Sequence, residues 1–317
     1  TDANGRASCR LTPPALGTRE LTATFAGTAD LLPASDRVGF SATDLGSLGA
    51  FTFYVARAAK GAPRLVRFGP VTLADAQAST AYDVVRPLGL ATPSATDSAG
   101  LADQATHLAA YAVKVTKGGG TPAGRVVRAV DQCSDAELAA SKPAHLFVPS
   151  AVNLTTAVSP PSEADHRVDH FLCTRVRGPK PAASGTGLRK GAQVDVTDQF
   201  QTRRYDLRRA RLVCPPVAKS GTPVLLSGPK KGTTFPITAS TVRSATSGLV
   251  CYDARPARRR IEQTACAPTT PGDKGTRIRP AQPRDPAHAG VFVANQFGAS
   301  QQLNTKKATM VCLPAGL

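Results

Sequence analysis

The sequence predicts an all-β protein: about four degenerate copies of a small β-sandwich or barrel-like module, in tandem behind an extended N-terminal strand segment. Three observations predict it. Residues 194–216, VDVTDQFQTRRYDLRRARLVCPP, alternate, turn at Asp198-Gln199, return, and stop on a cysteine and prolines; echoes run over 71–93, 126–149 and 291–314. The distance from the turn glutamine to the closing proline is 16, 17, 17 and 18 residues (77 to 93, 132 to 149, 199 to 216, 296 to 314). A near-constant period across weakly similar copies marks a repeat. Cysteines, finally, appear and disappear at matching places in the copies, as they would at positions in mutual contact.

Residues 1–50 form an extension. LTATFAGTA at 21–29 sets Leu21, Ala23 and Phe25 on one face and threonines on the other, a period of two that argues for a strand. Residues 35–49 are rich in Gly, Asp and Ser and read as a loop, so this strand has no hairpin partner. A lone strand must pair with something distant. It either docks on its own chain or is a donor strand for a neighbouring subunit.

The modules follow at 51–94, 105–150, 165–219 and 247–317. Each opens with a short strand (53–57, 110–114, 173–177, 251–255), passes a Gly/Pro/Lys loop such as KGAPR, and alternates to a turn at Asp75, Asp131, Asp198 or Asn295. The linkers 94–104 and 150–165, rich in Ser, Pro, Asp and Ala, read as surface connections. The fourth module departs from the pattern. Its opening-to-closing span is 61 residues against 38, 37 and 41, and the extra length is a basic, proline-rich insertion at 255–289.

Aligned, the opening and closing strands pair Phe53 with Ala91, Ala110 with Phe147, Cys173 with Cys214, and Cys251 with Cys312. Where cysteines vanish, one large and one small apolar residue replace them, in opposite order in the two modules. Positions in contact trade volume in this way. Disulfides Cys173–Cys214 and Cys251–Cys312 are therefore expected, and a loop of this size contributes roughly 3–4 kcal/mol on the chain-entropy model. Cys9, Cys133 and Cys266 remain. One pair among them is expected, with Cys9 best placed for an inter-chain bond. Cys133, aligned with Phe200 and Phe297, also reads as a buried apolar residue.

Seven cysteines, no membrane-length apolar run and an opening Thr1 fit a secreted chain trimmed of a leader. The formal charge is +17, which attracts anionic partners or merely solvates the surface. The basic clusters are Arg203, Arg204, Arg208, Arg209 and Arg211 in the third module and Arg258, Arg259 and Arg260 in the insertion. They are candidate contacts for an anionic partner, with Arg209 and Arg211 on one strand face and Arg208 pointing away. The absence of tryptophan and scarcity of other aromatics argue against nucleic acid.

No P-loop, GxSxG, HExxH or CxxC is present. His166 and His170 stand four apart, about 13 Å along a strand, too far to share one ion, and His170 matches His107 in the repeat. No catalytic residue, metal site or cofactor is expected.

The segments Asp169-His170-Phe171-Leu172-Cys173, Asp198-Gln199-Phe200 and Leu212-Val213-Cys214-Pro215, with Cys251-Tyr252, Asn295-Gln296-Phe297-Gly298 and Val311-Cys312-Leu313-Pro314, resemble an uncharacterised family of secreted bacterial tandem β domains with DHFxCY, DQFG and LCxP motifs. The resemblance covers 165–317, is faint over 50–150, and implies an exported β protein without a known activity. The expectation is a non-enzymatic secreted structural protein: a self-assembling extracellular filament or surface-layer subunit whose partners are copies of itself. The alternative is a monomeric adhesin or binding module for an anionic surface polymer.

Overall fold

Alternation and turn spacing become strands among the described residues. The structure, a computed structural model, describes residues 17–25, 32, 34–42, 48–63, 65–96, 99–101, 103–120, 122–162, 168–178, 187–260, 266, 276–278 and 287–317. Among these there is no helix, so none is long and apolar enough to cross a membrane.

The chain divides into two units, Thr1–Asp44 and Leu45–Leu317. The first is a hairpin of β1 (Gly17–Phe25) and β2 (Ala34–Ala42), antiparallel, with Leu21, Ala23 and Phe25 opposite Val38, Asp36 and Ala34. This corrects the reading of 35–49 as a loop and of β1 as a lone strand. The Gly, Asp and Ser of the segment masked an alternation carried only by Val38 and Phe40.

The second unit passes four times through one pattern. The first pass is β3 (Ala50–Ala58), β4 (Phe68–Ala74) and β5 (Ser79–Thr96). The second is β6 (His107–Val115), β7 (Arg125–Asp131) and β8 (Ser134–Asn153). The third is β9 (His170–Arg177), β10 (Gln193–Thr197) and β11 (Thr202–Cys214), continued by β12 (Pro216–Ser220) and β13 (Val224–Leu225). The fourth is β14 (Ser247–Pro256), the short pair β15 (Arg259–Arg260) and β16 (Thr276–Arg277), then β17 (Val291–Asn295) and β18 (Gly298–Gly316). In each pass the middle strand (β4, β7, β10, β17) folds back as a hairpin on the first half of the long strand.

The passes are not four separate domains, as a tandem array would be. Strands β3, β5, β6, β8, β9, β11, β14 and β18 pair antiparallel in that order, and β18 returns to β3, closing one barrel to which every pass gives two strands. Closure removes the sheet edges that a separate module would expose. Each hairpin also joins the end of the long strand two passes away: β4 with β12, β7 with β18, β10 with β5 and β17 with β8.

Three apolar layers follow from this. Inside the barrel lie Phe51, Phe53, Leu108, Phe147, Phe171 and Met310 with the cysteines 173, 214, 251 and 312. The outer wall is covered on one side by the hairpins of the second and third passes, with Val213, Val250 and Val311 against Val194, Tyr205 and Leu207. On the other side the first and fourth passes cover it, with Leu90, Leu146 and Val148 against Val71, Tyr82 and Val291. The opening strands are therefore buried on both faces, as β3, β6 and β9 show in their first five residues.

The four aligned pairs meet inside the barrel. Phe53 stands opposite Ala91, Ala110 opposite Phe147 and Cys251 opposite Cys312. Disulfides join Cys173 to Cys214 and Cys251 to Cys312 across neighbouring strands, at Cα separations of 4.0 and 3.8 Å. Sγ of Cys214 lies 4.0 Å from Sγ of Cys251, so the two disulfides lie side by side. The Phe/Ala solution needs more room: a Cβ on Gly89 would come within 2.5 Å of Phe53 Cζ and 2.3 Å of the Tyr54 carbonyl oxygen. A third disulfide ties Cys133, in the second hairpin turn, to Cys266 in the fourth-pass insertion. Cys133 is thus a covalent anchor, and its alignment with Phe200 and Phe297 reflects burial alone. Cys9 lies outside the described residues.

Candidate functional site

Two sets of polar residues stand out, and they have different purposes. The first is buried. In every pass the turn Asp or Asn accepts hydrogen bonds from turn amides: Asp75 from Gln77 and Ala78, Asp131 from Cys133, Asp198 from Phe200 and Gln201, Asn295 from Phe297. This is the local bonding that makes Asp and Asn turn formers.

The same side chains then reach two passes away. Tyr54 donates to Asp198 at 2.7 Å and Tyr252 to Asp131 at 2.6 Å, while Asn295 Nδ2 donates to the Tyr111 hydroxyl at 2.8 Å. The third pass has Thr174 where the others have tyrosine, and Asp75 instead accepts from Arg125 at 2.7 Å. Burial pushes Asp131 up to about 6 and raises Asp198. At Asp75 burial acts the same way, but Arg125 and the turn amides outweigh it and hold the carboxyl below its usual range. Burial, and then the facing aspartates, raise Tyr54 and Tyr252. Each turn carboxylate is committed to its own turn and to a side chain of another pass, which is a structural use.

The paired positions His107 and His170 are likewise buried at the starts of β6 and β9. His170 Nε2 meets the Gln296 side chain, and its Nδ1 lies 3.5 Å from Ser240 Oγ. His166 lies outside the described residues, and no group of three or more metal-ligating side chains occurs among the described ones.

The second set is exposed and lies at one end of the barrel. Alternation carries the inward face of each opening strand past its last core residue: Phe53 to Val55 and Arg57, Ala110 to Ala112 and Lys114, Cys173 to Arg175 and Arg177, Cys251 to Asp253 and Arg255. At the same level every long strand holds extra residues relative to its neighbour, with register shifts after Val84, Ala140, Leu207 and Thr305 and again before Gly89, His145, Leu212 and Met310. Bulges of this kind re-aim side chains at barrel rims. These carry Arg86, Lys142, then Arg208, Arg209 and Arg211, then Lys306 and Lys307, all exposed. A basic belt thus encircles the mouth of the barrel. His145 sits just inside it, its ring 5.9 Å from Phe53 and burial lowering it to about 4.

The arginines singled out in the sequence divide accordingly. Arg208, Arg209 and Arg211 belong to the belt, and all three are exposed, because the β11 bulge breaks the alternation that would have turned Arg208 away. Asp253 meets Arg211 Nε at 3.1 Å and Arg209 Nε at 3.7 Å. Arg203 is buried, 4% exposed, and is no surface contact. Its side of β11 faces the outer core with Tyr205 and Leu207, which the sequence had not shown. Arg204 grips Asp195 through Nε at 2.7 Å and through a second nitrogen, and this pairing holds Asp195 below the usual carboxylate range. Arg258, Arg259 and Arg260 are exposed just beyond β14. Of the proposed donor strand, the described feature is its pairing with β2.

Sequence reasoning missed Arg57, Arg86, Lys114, Lys142, Arg175, Arg177, Lys306 and Lys307. Each is an isolated basic residue or doublet in its own pass. The recurrence of a basic residue at one aligned position, five residues before the closing Ala91, Phe147, Cys214 or Cys312, was the available signal. Comparison of the chain with protein-family models, curated proteins and solved structures finds no match.

Proposed function

We propose that this chain is a non-enzymatic, secreted binding module that recognises an anionic polymer with the basic mouth of its barrel. The belt of exposed Arg and Lys on all four passes is the observation that supports this most strongly. Charge arranged around a rim focuses the field that attracts a polyanion, and an eight-stranded barrel filled with side chains leaves its mouth, not its interior, for a ligand. The turn carboxylates support a non-enzymatic role, being engaged in folding contacts. Three disulfides are compatible with an extracellular setting. The test is retention on immobilised polyanions against neutral dextran across a salt gradient. Stronger retention that falls with salt is expected, and equal retention on neutral dextran overturns the reading.

One observation favours a second reading, the self-assembling filament or surface-layer subunit. Among the described residues the β1–β2 sheet has two strands, and a small sheet of this kind is one that strand addition can extend. Sizing of the native chain against one lacking residues 1–42 tests it. Polymers that persist without the hairpin, or a native chain that stays monomeric, count against it.

A further inference from the structure

The belt is not uniform. On β9, β11 and β14 its exposed members are Arg175, Arg177, Arg208, Arg209, Arg211 and Arg255, all arginine. Around the rest of the mouth lysine predominates, with Lys114, Lys142, Lys306 and Lys307 beside Arg57 and Arg86. These strands are neighbours: Arg175 stands opposite Leu212 across the β9–β11 ladder, and Ala210 opposite Tyr252 across β11–β14. The arginines therefore spring from adjacent strands about 5 Å apart, with Arg175 and Arg177 roughly 7 Å apart along β9.

A second asymmetry coincides with the first. The passes that carry the arginines also carry the disulfides inside the barrel. Cys173 lies two residues before Arg175, and Cys251 two before Asp253. In the first two passes Phe53/Ala91 and Ala110/Phe147 fill the same positions without cross-links. Covalent bracing stands directly beneath the arginine arc, where it holds the strands that set the spacing of the guanidinium groups. Preorganised charge of this kind is what a recognition site requires. Asp253, between Arg209 and Arg211, orients two of the forks.

We infer that this arc is a recognition site for tetrahedral oxyanion esters, sulfate or phosphate, borne on an extracellular polysaccharide. The inference rests on the reading that the mouth binds an anionic polymer. A guanidinium presents its donors as a planar fork matched to such groups, where an ammonium is a point charge. An ester of this type offers three terminal oxygens and so can engage forks from three strands at once; a carboxylate has two. The exposed large apolar side chains among the described residues are Leu32, Val126, Val130 and Leu154. None is aromatic, so no fully exposed aromatic among the described residues offers the stacking platform that binds single-stranded nucleic acid.

The test measures binding of the full chain to dextran sulfate, phosphorylated dextran and carboxymethyl-dextran of matched charge density, with duplex DNA as a fourth probe. Variant R175Q/R209Q/R211Q is compared with K117Q/K230Q/K231Q, which removes equal charge from exposed sites elsewhere. Both should keep the parent's circular dichroism and urea midpoint. We expect at least one ester polymer to bind about tenfold tighter than carboxymethyl-dextran, the better one naming the ester. The arc variant should lose about tenfold on it, against about twofold for the charge control. Equal affinity for ester and carboxylate polymers, or equal losses in the two variants, overturns the arc while leaving a general polyanion-binding belt. Binding to none of the polymers overturns both readings. Tightest binding to DNA overturns the polysaccharide.

Discussion

Replacing Cys173 and Cys214 by alanine tests whether the barrel interior works as described. The bond closes a loop with a sequence separation of 41 residues. On the chain-entropy model its removal costs about 4 kcal/mol. Both residues are fully buried, and the two sulfur atoms leave a void that adds about 1 kcal/mol. For a unit of this size, a loss of about 5 kcal/mol lowers the urea midpoint by roughly 2 M. Equilibrium unfolding followed by far-ultraviolet circular dichroism measures it, since the chain has no tryptophan. A second variant, C173A/C214F, installs the arrangement that Ala110 and Phe147 use in the second pass. Burying the ring should restore about 2 kcal/mol. A midpoint for the double alanine variant within 0.3 M of the parent would refute the bracing argument, the threshold being about 1 kcal/mol. A phenylalanine variant less stable than the double alanine would refute the equivalence of the four pairs.

Three further outcomes follow from the packing and the buried ionisable groups. Gly89→Ala drives a methyl group against the Tyr54 carbonyl oxygen and the Phe53 ring, and should cost about 3 kcal/mol, at the top of the usual overpacking range, in the same urea assay. Tyr252→Phe removes the donor to Asp131 and should cost about 2 kcal/mol at pH 8. That cost should shrink below pH 6, as a carboxyl already raised by burial to about 6 takes up its proton; a pH-independent difference would contradict the assignment. His107 and His145 are held by burial at about 4, below their usual 6.5. The folded state therefore binds fewer protons than the unfolded one between these values, and stability falls as pH drops from 6.5 to 4. Asp131 acts in the opposite sense between 3.8 and about 6, its contribution being lost as pH rises. His145→Phe should accordingly flatten the acid limb by up to about 3 kcal/mol, read from urea midpoints at pH 4.5 and 7.

The parts of the fold legible in the sequence are those in which one pass explains itself. The exchange of Cys/Cys for Phe/Ala and Ala/Phe exposed the interior pairs because each contact lies within a single pass and conserves volume. The contacts two passes apart were not legible. Tyr54 and Asp198 are 144 residues apart, Tyr111 and Asn295 184, and each taken alone looks like a local feature, a strand aromatic or a turn former. A trace did exist: the third pass lacks the tyrosine, and the turn it would have served, at Asp75, recruits Arg125 instead. The arginine arc was half visible. The run in β11 stood out as a cluster, while Arg175, Arg177 and Arg255 join it only once the barrel is closed. The β2 strand was missed because composition was weighted above a weak alternation.

The joining of each hairpin to the strand two passes on has a consequence for how the molecule comes into being. Half of the chain, cut between the second and third passes, holds two hairpins, each of which also pairs with a strand in the other half. Neither half has a finished surface, so separately expressed halves should remain unstructured and recover order only when mixed. An array of stacked units can gain or lose a member and stay folded, but this one has a fixed membership. Its contacts span most of the second unit, which makes for slow, late assembly, and that unit is not complete until β18 is available to close the ring against β3.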